Sequence, residues 1–151
     1  MSDATLRALA DRAAIHDLLI GYFLAIDRGD WDAVRACFTD AADCDYAVFR
    51  GDPAHAVACM RRGLAQFEHT MHFGGNVLVA LDGDAARAEC YAVCYHRLPV
   101  AGVPHDRVSA LHYRDEVVRT PAGWRIAARR VRFVWERFEP ASPPPPPAPP
   151  R

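Results

Sequence analysis

Apolar residues recur at helical spacing from Leu6 through Leu9, Ala13, Ile15, Leu18, Leu19, Tyr22, Phe23 and Ile26. That repeat is the signature of a helix with one buried face. Ser2-Asp3 suits a start and Gly29 a stop, so a first helix is predicted over about 6–27. Asp30 is placed to cap a second short helix over 31–38, followed by a turn over 39–42 and a short strand over 44–49. Asp52-Pro53 opens a third helix, with proline in its first turn, running to about 67. Its apolar positions Ala56, Cys59, Met60, Leu64 and Phe67 share one face. The period then falls to two. Four strands are predicted over 69–81, 86–98, 108–119 and 123–137, punctuated by Asp82-Gly83-Asp84, by 102–104 and by Pro121-Ala122-Gly123. Helices first and a long antiparallel meander afterwards define an α+β class, with the helices on one face of a curved sheet.

The chain has 151 residues, 51% hydrophobic and 25% charged, which makes one globular domain with a real core. Residues 142–150 are almost pure proline, so the domain is expected to end at 138 and a disordered proline-rich tail to occupy 139–151. A net charge of −1 argues against nucleic-acid binding, which needs a basic surplus. No apolar run is long enough to span a bilayer. The N-terminus lacks a basic segment followed by an apolar one, so the expected compartment is the cytoplasm. Five cysteines without paired spacing are expected to be reduced, small and mostly buried.

The strand over 86–98 carries the most information. Ala88, Cys90, Ala92, Cys94 and His96 share one face, while Arg87, Glu89, Tyr91, Val93, Tyr95 and Arg97 share the other. A face of small side chains leaves room for a ligand, with His96 at its end; a satisfied edge histidine is the plainer alternative. His72 precedes two glycines inside a strand pattern, the mark of a bulge or of a close approach by another group. Asp27 closes the first helix on the stripe of Ile20 and Phe23, where the helix dipole and burial both oppose its charge. It either pairs with a histidine, making that imidazole a better base, or helps cap the next helix. Arg129, Arg130 and Arg132 form a basic run that alternates in and out along a strand and reads as solvated surface rather than as a binding site. No glycine-rich phosphate loop, zinc spacing or nucleophile elbow is present.

These residues together resemble the nuclear transport factor 2-like superfamily, and within it the SnoaL-like and scytalone dehydratase group. The likeness runs from about 6 to 137 and rests on Asp27-Arg28-Gly29-Asp30-Trp31, Cys44-Asp45-Tyr46, Thr70-Met71-His72-Phe73, Tyr95-His96-Arg97 and Gly123-Trp124-Arg125-Ile126. The resemblance implies a cone-shaped α+β barrel, three N-terminal helices packed on a strongly curved, mostly antiparallel sheet. It also implies catalytic roles for Asp27, His72 and His96, for Tyr46 as the holder of a carbonyl oxygen, and for Tyr22, five residues before the aspartate. Phe23, Asn76, Cys94 and Tyr113 are the expected substrate contacts. Ile26 stands where scytalone dehydratase has a tyrosine, and Leu111 and Tyr113 fall where it has a Ser/Asn pair; both departures point away from scytalone itself.

The expected function is that of a cofactor-independent dehydratase needing no metal, acting on a hydroxylated, largely apolar cyclic or polyketide-like carbonyl compound. His72 abstracts a proton alpha to the carbonyl, Asp27 orients it, Tyr46 with Tyr22 meets the enolate oxygen, and His96 protonates the departing hydroxyl. The same pocket could serve an isomerase or a polyketide cyclase, or could be a non-catalytic ligand-binding or protein-interaction module. Self-association is expected, because an open sheet leaves one face to cover, and the resemblance implies a trimer or dimer.

Overall fold

The structure, a computed structural model, describes residues 2–142. Helix α1 (Asp3–Arg28) begins at Ser2, whose hydroxyl accepts from the Thr5 amide, and ends at Gly29 in the left-handed region at φ 66°. Glycine has no Cβ to clash there, and its N–H closes onto the Ala25 and Ile26 carbonyls. The stripe formed by Ile15, Leu19, Tyr22, Phe23 and Ile26 is buried, as the periodicity predicts, whereas Leu6 and Leu9, at the start of the same repeat, are exposed. Helix α2 (Trp31–Ala36) is capped by Asp30 and α3 (Pro53–Leu64) by Asp52. Both stop before the predicted ends at 38 and 67.

Strand β1 (Phe38–Asp45) overturns the predicted turn over 39–42 and the predicted strand over 44–49. It forms because it runs parallel to the last strand, pairing Phe38 with Ile126 and Cys44 with Arg129, a contact no local pattern reveals. A turn at Ala47 leads to the two-residue β2 (Arg50–Gly51). The meander then follows as β3 (His69–Asp82), β4 (Ala85–Val100), β5 (Val103–Thr120) and β6 (Gly123–Pro140). Strand β5 starts at Val103, earlier than predicted, because Ala101 and Gly102, both at positive φ, make a two-residue hairpin. Glu139 and Pro140 lie in β6 rather than in the tail, and the remainder of the expected tail beyond 142 lies outside the described residues.

The sheet order is β2-β1-β6-β5-β4-β3, antiparallel except for β1 against β6. It is an α+β fold whose sheet curves around the helices but stays open, so the barrel expected from sequence is an unclosed one. Bulges in β3 and between β5 and β6 supply the curvature. Helix α1 packs on β3 and β6, and α3 on β1 and β2, all on the concave face. The small side chains Ala88, Cys90, Ala92 and Cys94 of β4 are buried under them. No helix among the described residues is long and apolar enough to cross a membrane. The outer face carries a cross-strand row, Phe73–Val93–Ala110–Trp135, with Met71 and Tyr95 in the next row; Phe73 and Trp135 are exposed.

At Gly74 the Phe23 and Ile20 side chains of α1 lie directly against the backbone of β3. A Cβ there would stand 2.7 Å from Cδ2 of Phe23, a ring that is itself buried. Gly74→Ala is therefore expected to lower stability by about 1–3 kcal/mol through overpacking, measured by urea unfolding. Gly63→Ala, which meets nothing within 4 Å, serves as the control.

Candidate active site

The last turn of α1 brings Asp27 against the start of β3. Its Oδ1 accepts from Nδ1 of His72 at 2.6 Å and from the Thr70 hydroxyl at 3.1 Å, and Oδ2 accepts from the His72 amide at 2.8 Å. Both side chains are largely enclosed, 18% exposed for Asp27 and 7% for His72. Burial works against the Asp27 charge. The hydrogen bonds from the His72 side chain, the His72 backbone and Thr70 outweigh it and hold the carboxyl below its usual value. A carboxylate can only accept, so Nδ1 of His72 carries a proton, and in the neutral imidazole Nε2 is then the acceptor. Phe23, one helical turn before Asp27, lies parallel to the imidazole at 6.2 Å.

His72 forms part of the wall of a cavity of about 310 Å³ between the helices and the concave sheet. Tyr22, Tyr46, Cys94, His96 and Tyr113 also line it, with Ile26, Met60, Leu64, Phe67, Leu111 and Val131 as apolar wall. Asp27 stands behind His72 rather than in the wall. The fold therefore brings together Asp27, His72, His96, Tyr22, Tyr46, Cys94 and Tyr113 around one space. Two expected contacts are corrected. Phe23 is buried behind Tyr22, His72 and Tyr113 and does not line the cavity. Asn76 is exposed at the β3 bulge, in the left-handed region at φ 43°, away from the cavity.

His96 crosses the His72 ring at 72°, with centroids 5.3 Å apart, and stacks on Phe67 at 4.6 Å. Its Nε2 is buried with no hydrogen-bond partner. Burial, then the neighbouring His72 and Arg107, push its pKa down to about 4. His96 is therefore neutral near neutral pH. On two other lining residues, the hydroxyls of Tyr22 and Tyr46 are 2.6 Å apart, and Tyr22 also reaches Met60 Sδ at 3.2 Å. Burial raises both phenols, while Arg129 acts in the opposite direction.

Sequence reasoning placed Arg129 on the surface; it is completely buried and paired with Asp115 through two bonds of 2.8 and 2.7 Å. A bulge at Ala127 shifts the alternation of β6, turning Arg129 and Val131 inward behind Ile126. Arg130 and Arg132 do point away, to Asp43 and Asp45. The available signal was the apolar partner position, since Val131 shares the parity of Arg129. A second cluster also went unread: Arg107 and Ser109 line the cavity, and both donate to Glu136, at 2.8 and 2.9 Å. Among the described residues no group of three His, Cys, Asp or Glu side chains is arranged to hold a metal ion.

Known proteins share this arrangement of elements. The family model of the SnoaL-like domain matches residues 7–130. Protein Rv2910c of Mycobacterium tuberculosis is 34% identical over 128 residues, covering 80% of this chain and 84% of that one. A Novosphingobium aromaticivorans protein provisionally titled a scytalone dehydratase superposes with a TM-score of 0.78 at 20% identity, over 88% of this chain and 90% of that one. The type 2 hexachlorocyclohexane dehydrochlorinase LinA superposes with a TM-score of 0.79 at 20% identity, over 94% of this chain and 98% of that one. By the extent of the family match and the identity to Rv2910c, the chain belongs to the SnoaL-like domain family of the nuclear transport factor 2-like superfamily.

Proposed function

We propose that the protein is a cofactor-independent acid/base lyase acting on a small, neutral, largely apolar carbonyl compound that bears a leaving group, most simply a hydroxyl. The observation that carries this reading is the Asp27–His72 pair, its imidazole facing a cavity whose remaining wall is mostly apolar. A merely hydrophobic binding pocket gains nothing from a partly buried carboxylate, which costs free energy to desolvate. The relatives give a coarser support: proteins of this fold are named for removing water or hydrogen chloride from small molecules. A cavity of about 310 Å³ suits a compound of one or two rings, near the lower end of ligand pockets.

Nε2 of His72 takes the proton alpha to the carbonyl, and Asp27 stabilises the resulting imidazolium. The electron pair of the broken C–H bond moves onto the carbonyl oxygen, where Tyr46 donates. Collapse of this enolate forms the new double bond and breaks the C–O bond. The sequence-based expectation gave the final protonation to His96. A histidine pushed to about 4 carries no spare proton at neutral pH, so that role does not suit it. The imidazolium of the site is His72 itself once it holds the substrate's proton, and it returns that proton to the leaving hydroxide. The elimination is then syn, and water is the only other product. The same single base also suits an isomerase, in which His72 returns the proton to a different carbon and no group leaves. The neutral His96 is the observation that keeps this second reading open.

The outer-face row of Phe73, Val93, Ala110 and Trp135 supports self-association as a dimer or trimer through that face.

Incubation with a panel of hydroxy-ketones, phenols and sterol ketones, followed by mass spectrometry, tests the reaction. The expected product has lost one water, and His72→Ala and Asp27→Asn each lower kcat by roughly 10²–10⁴-fold. A product of unchanged mass establishes the isomerase reading, and full turnover in His72→Ala removes His72 as the base. For His96 the sign follows from its lowered value: the unfolded chain binds a proton between pH 6.5 and about 4 that the folded one does not. Stability is therefore lost as pH falls through that window, with a slope of up to ~1.4 kcal/mol per pH unit. Urea unfolding should show this component in the wild type and its absence in His96→Phe. Light scattering is expected to find a dimer or trimer that Trp135→Asp converts to monomer; a monomeric wild type would rule out the self-association.

A further inference from the structure

Arg129 is fully buried, yet its guanidinium is only partly satisfied. Nε and Nη2 donate to the two Asp115 oxygens, while Nη1 is buried without a hydrogen-bond partner. The guanidinium carbon lies 4.1 Å from the centre of the Tyr22 ring and 5.0 Å from that of Tyr113. Its charge acts on both Tyr22 and Tyr46, whose hydroxyls are joined and which line the cavity. A buried ion pair is seldom more stable than apolar residues of the same volume, so packing gives no reason to retain this one. A fixed cation behind two phenols in a low-dielectric interior becomes useful when negative charge develops ahead of them.

We propose that the Asp115–Arg129 pair makes the Tyr22–Tyr46 hydroxyl pair an anion-holding site for planar enolate- or phenolate-type oxygens, with Arg129 as the positioning residue. This rests on the reading of Tyr46 as the group that meets the substrate's carbonyl oxygen. Tyr22 can give its proton either to Met60 Sδ or to Tyr46. When it donates to Tyr46, the Tyr46 O–H is free to donate to an oxygen in the cavity. No proton changes owner in this relay. Partial negative charge passes back from ligand to Tyr46 and Tyr22, and the guanidinium, which acts on both phenols, stabilises it. Asp115 tempers the effect, balancing the guanidinium charge at rest.

The probe is 4-nitrophenol, whose yellow phenolate reports its own ionisation without turnover. Bound to the wild type, it should be more ionised than in solution at the same pH, its ionisation constant raised by roughly tenfold, one pKa unit. The paired replacement Asp115→Leu with Arg129→Met should fold and melt like the wild type, with the bound probe ionising within about twofold of free. Asp115→Asn, which leaves the guanidinium without its counter-charge, should raise the probe's ionisation further. A purely structural pair predicts no such rise, and this arm decides the matter if the double variant does not fold. The proposal is overturned if the wild type leaves the probe unshifted or unbound, if the double variant keeps the wild-type shift, or if Asp115→Asn fails to raise it. His72→Ala is expected to lose turnover with the probe shift intact, so failure of the catalytic reading and failure of the anion site are told apart.

Discussion

The carboxylate of Asp27 accepts three hydrogen bonds from β3 while sitting in the last turn of α1, where partial burial and the negative end of the helix dipole both oppose its charge. Were the strand a few ångströms away, the aspartate would protonate or turn outward. The three donors instead hold it ionised, and the same bonds fasten the helix to the edge strand of the sheet. One of the three is the His72 imidazole, so the contact that joins helix to sheet also fixes the tautomer of the proposed base. The Gly74 backbone against the Phe23 ring is what lets the two elements come that close.

The cavity exists because β4 buries nothing larger than alanine and cysteine between Ala88 and Cys94. Small residues along a concave strand allow helices to nest at one end and leave space at the other. That space is closed by aromatic groups brought from elsewhere: Tyr22 from α1, Tyr46 from the turn after β1, and Phe67 before β3. None of the three is near another in sequence. Their convergence follows from β1 pairing with β6, which draws the turn carrying Tyr46 over the cavity and against Tyr22.

Features written in local periodicity were legible in the sequence. The C-terminal half of the α1 stripe, the caps at Asp30 and Asp52, the inward face of β4 and the meander turns at 82–84 and 121–123 all follow from residue type and spacing, and with the family motifs they located Asp27, His72, His96, Tyr22 and Tyr46. Features that depend on a partner far along the chain were not legible. Strand β1 is defined by β6, some eighty residues away in the register of Cys44 with Arg129, so its polar middle looked like a turn. Arg129 was misplaced because one bulged residue, Ala127, inverts the alternation that sequence reading assumes. Asn76 was misplaced for a related reason: it occupies the β3 bulge, where the strand's inward parity no longer holds. Glu136 gave no signal, since its bonds to Arg107 and Ser109 cross to a neighbouring strand.

At rest every ionic side chain around the cavity has a partner: Asp27 with His72, Arg129 with Asp115, Arg107 with Glu136. His96 adds no charge, having been pushed to about 4. Such a site gives negative charge a place only at the tyrosine hydroxyls and elsewhere favours a neutral ligand over a charged one, which would introduce an unpaired charge into a largely apolar space. The proposed reaction then creates charge inside it, positive on His72 and negative on the oxygen at Tyr46. Each arises next to a fixed opposite charge, Asp27 at one end and Arg129 at the other. Those fixed charges are already oriented by folding, so the barrier need not include the work of turning solvent dipoles toward the new ones. The Asp27 carboxylate beside His72 and the Arg129 guanidinium beside the tyrosines are thus arranged for a separation of charge that exists only while a proton is in transit.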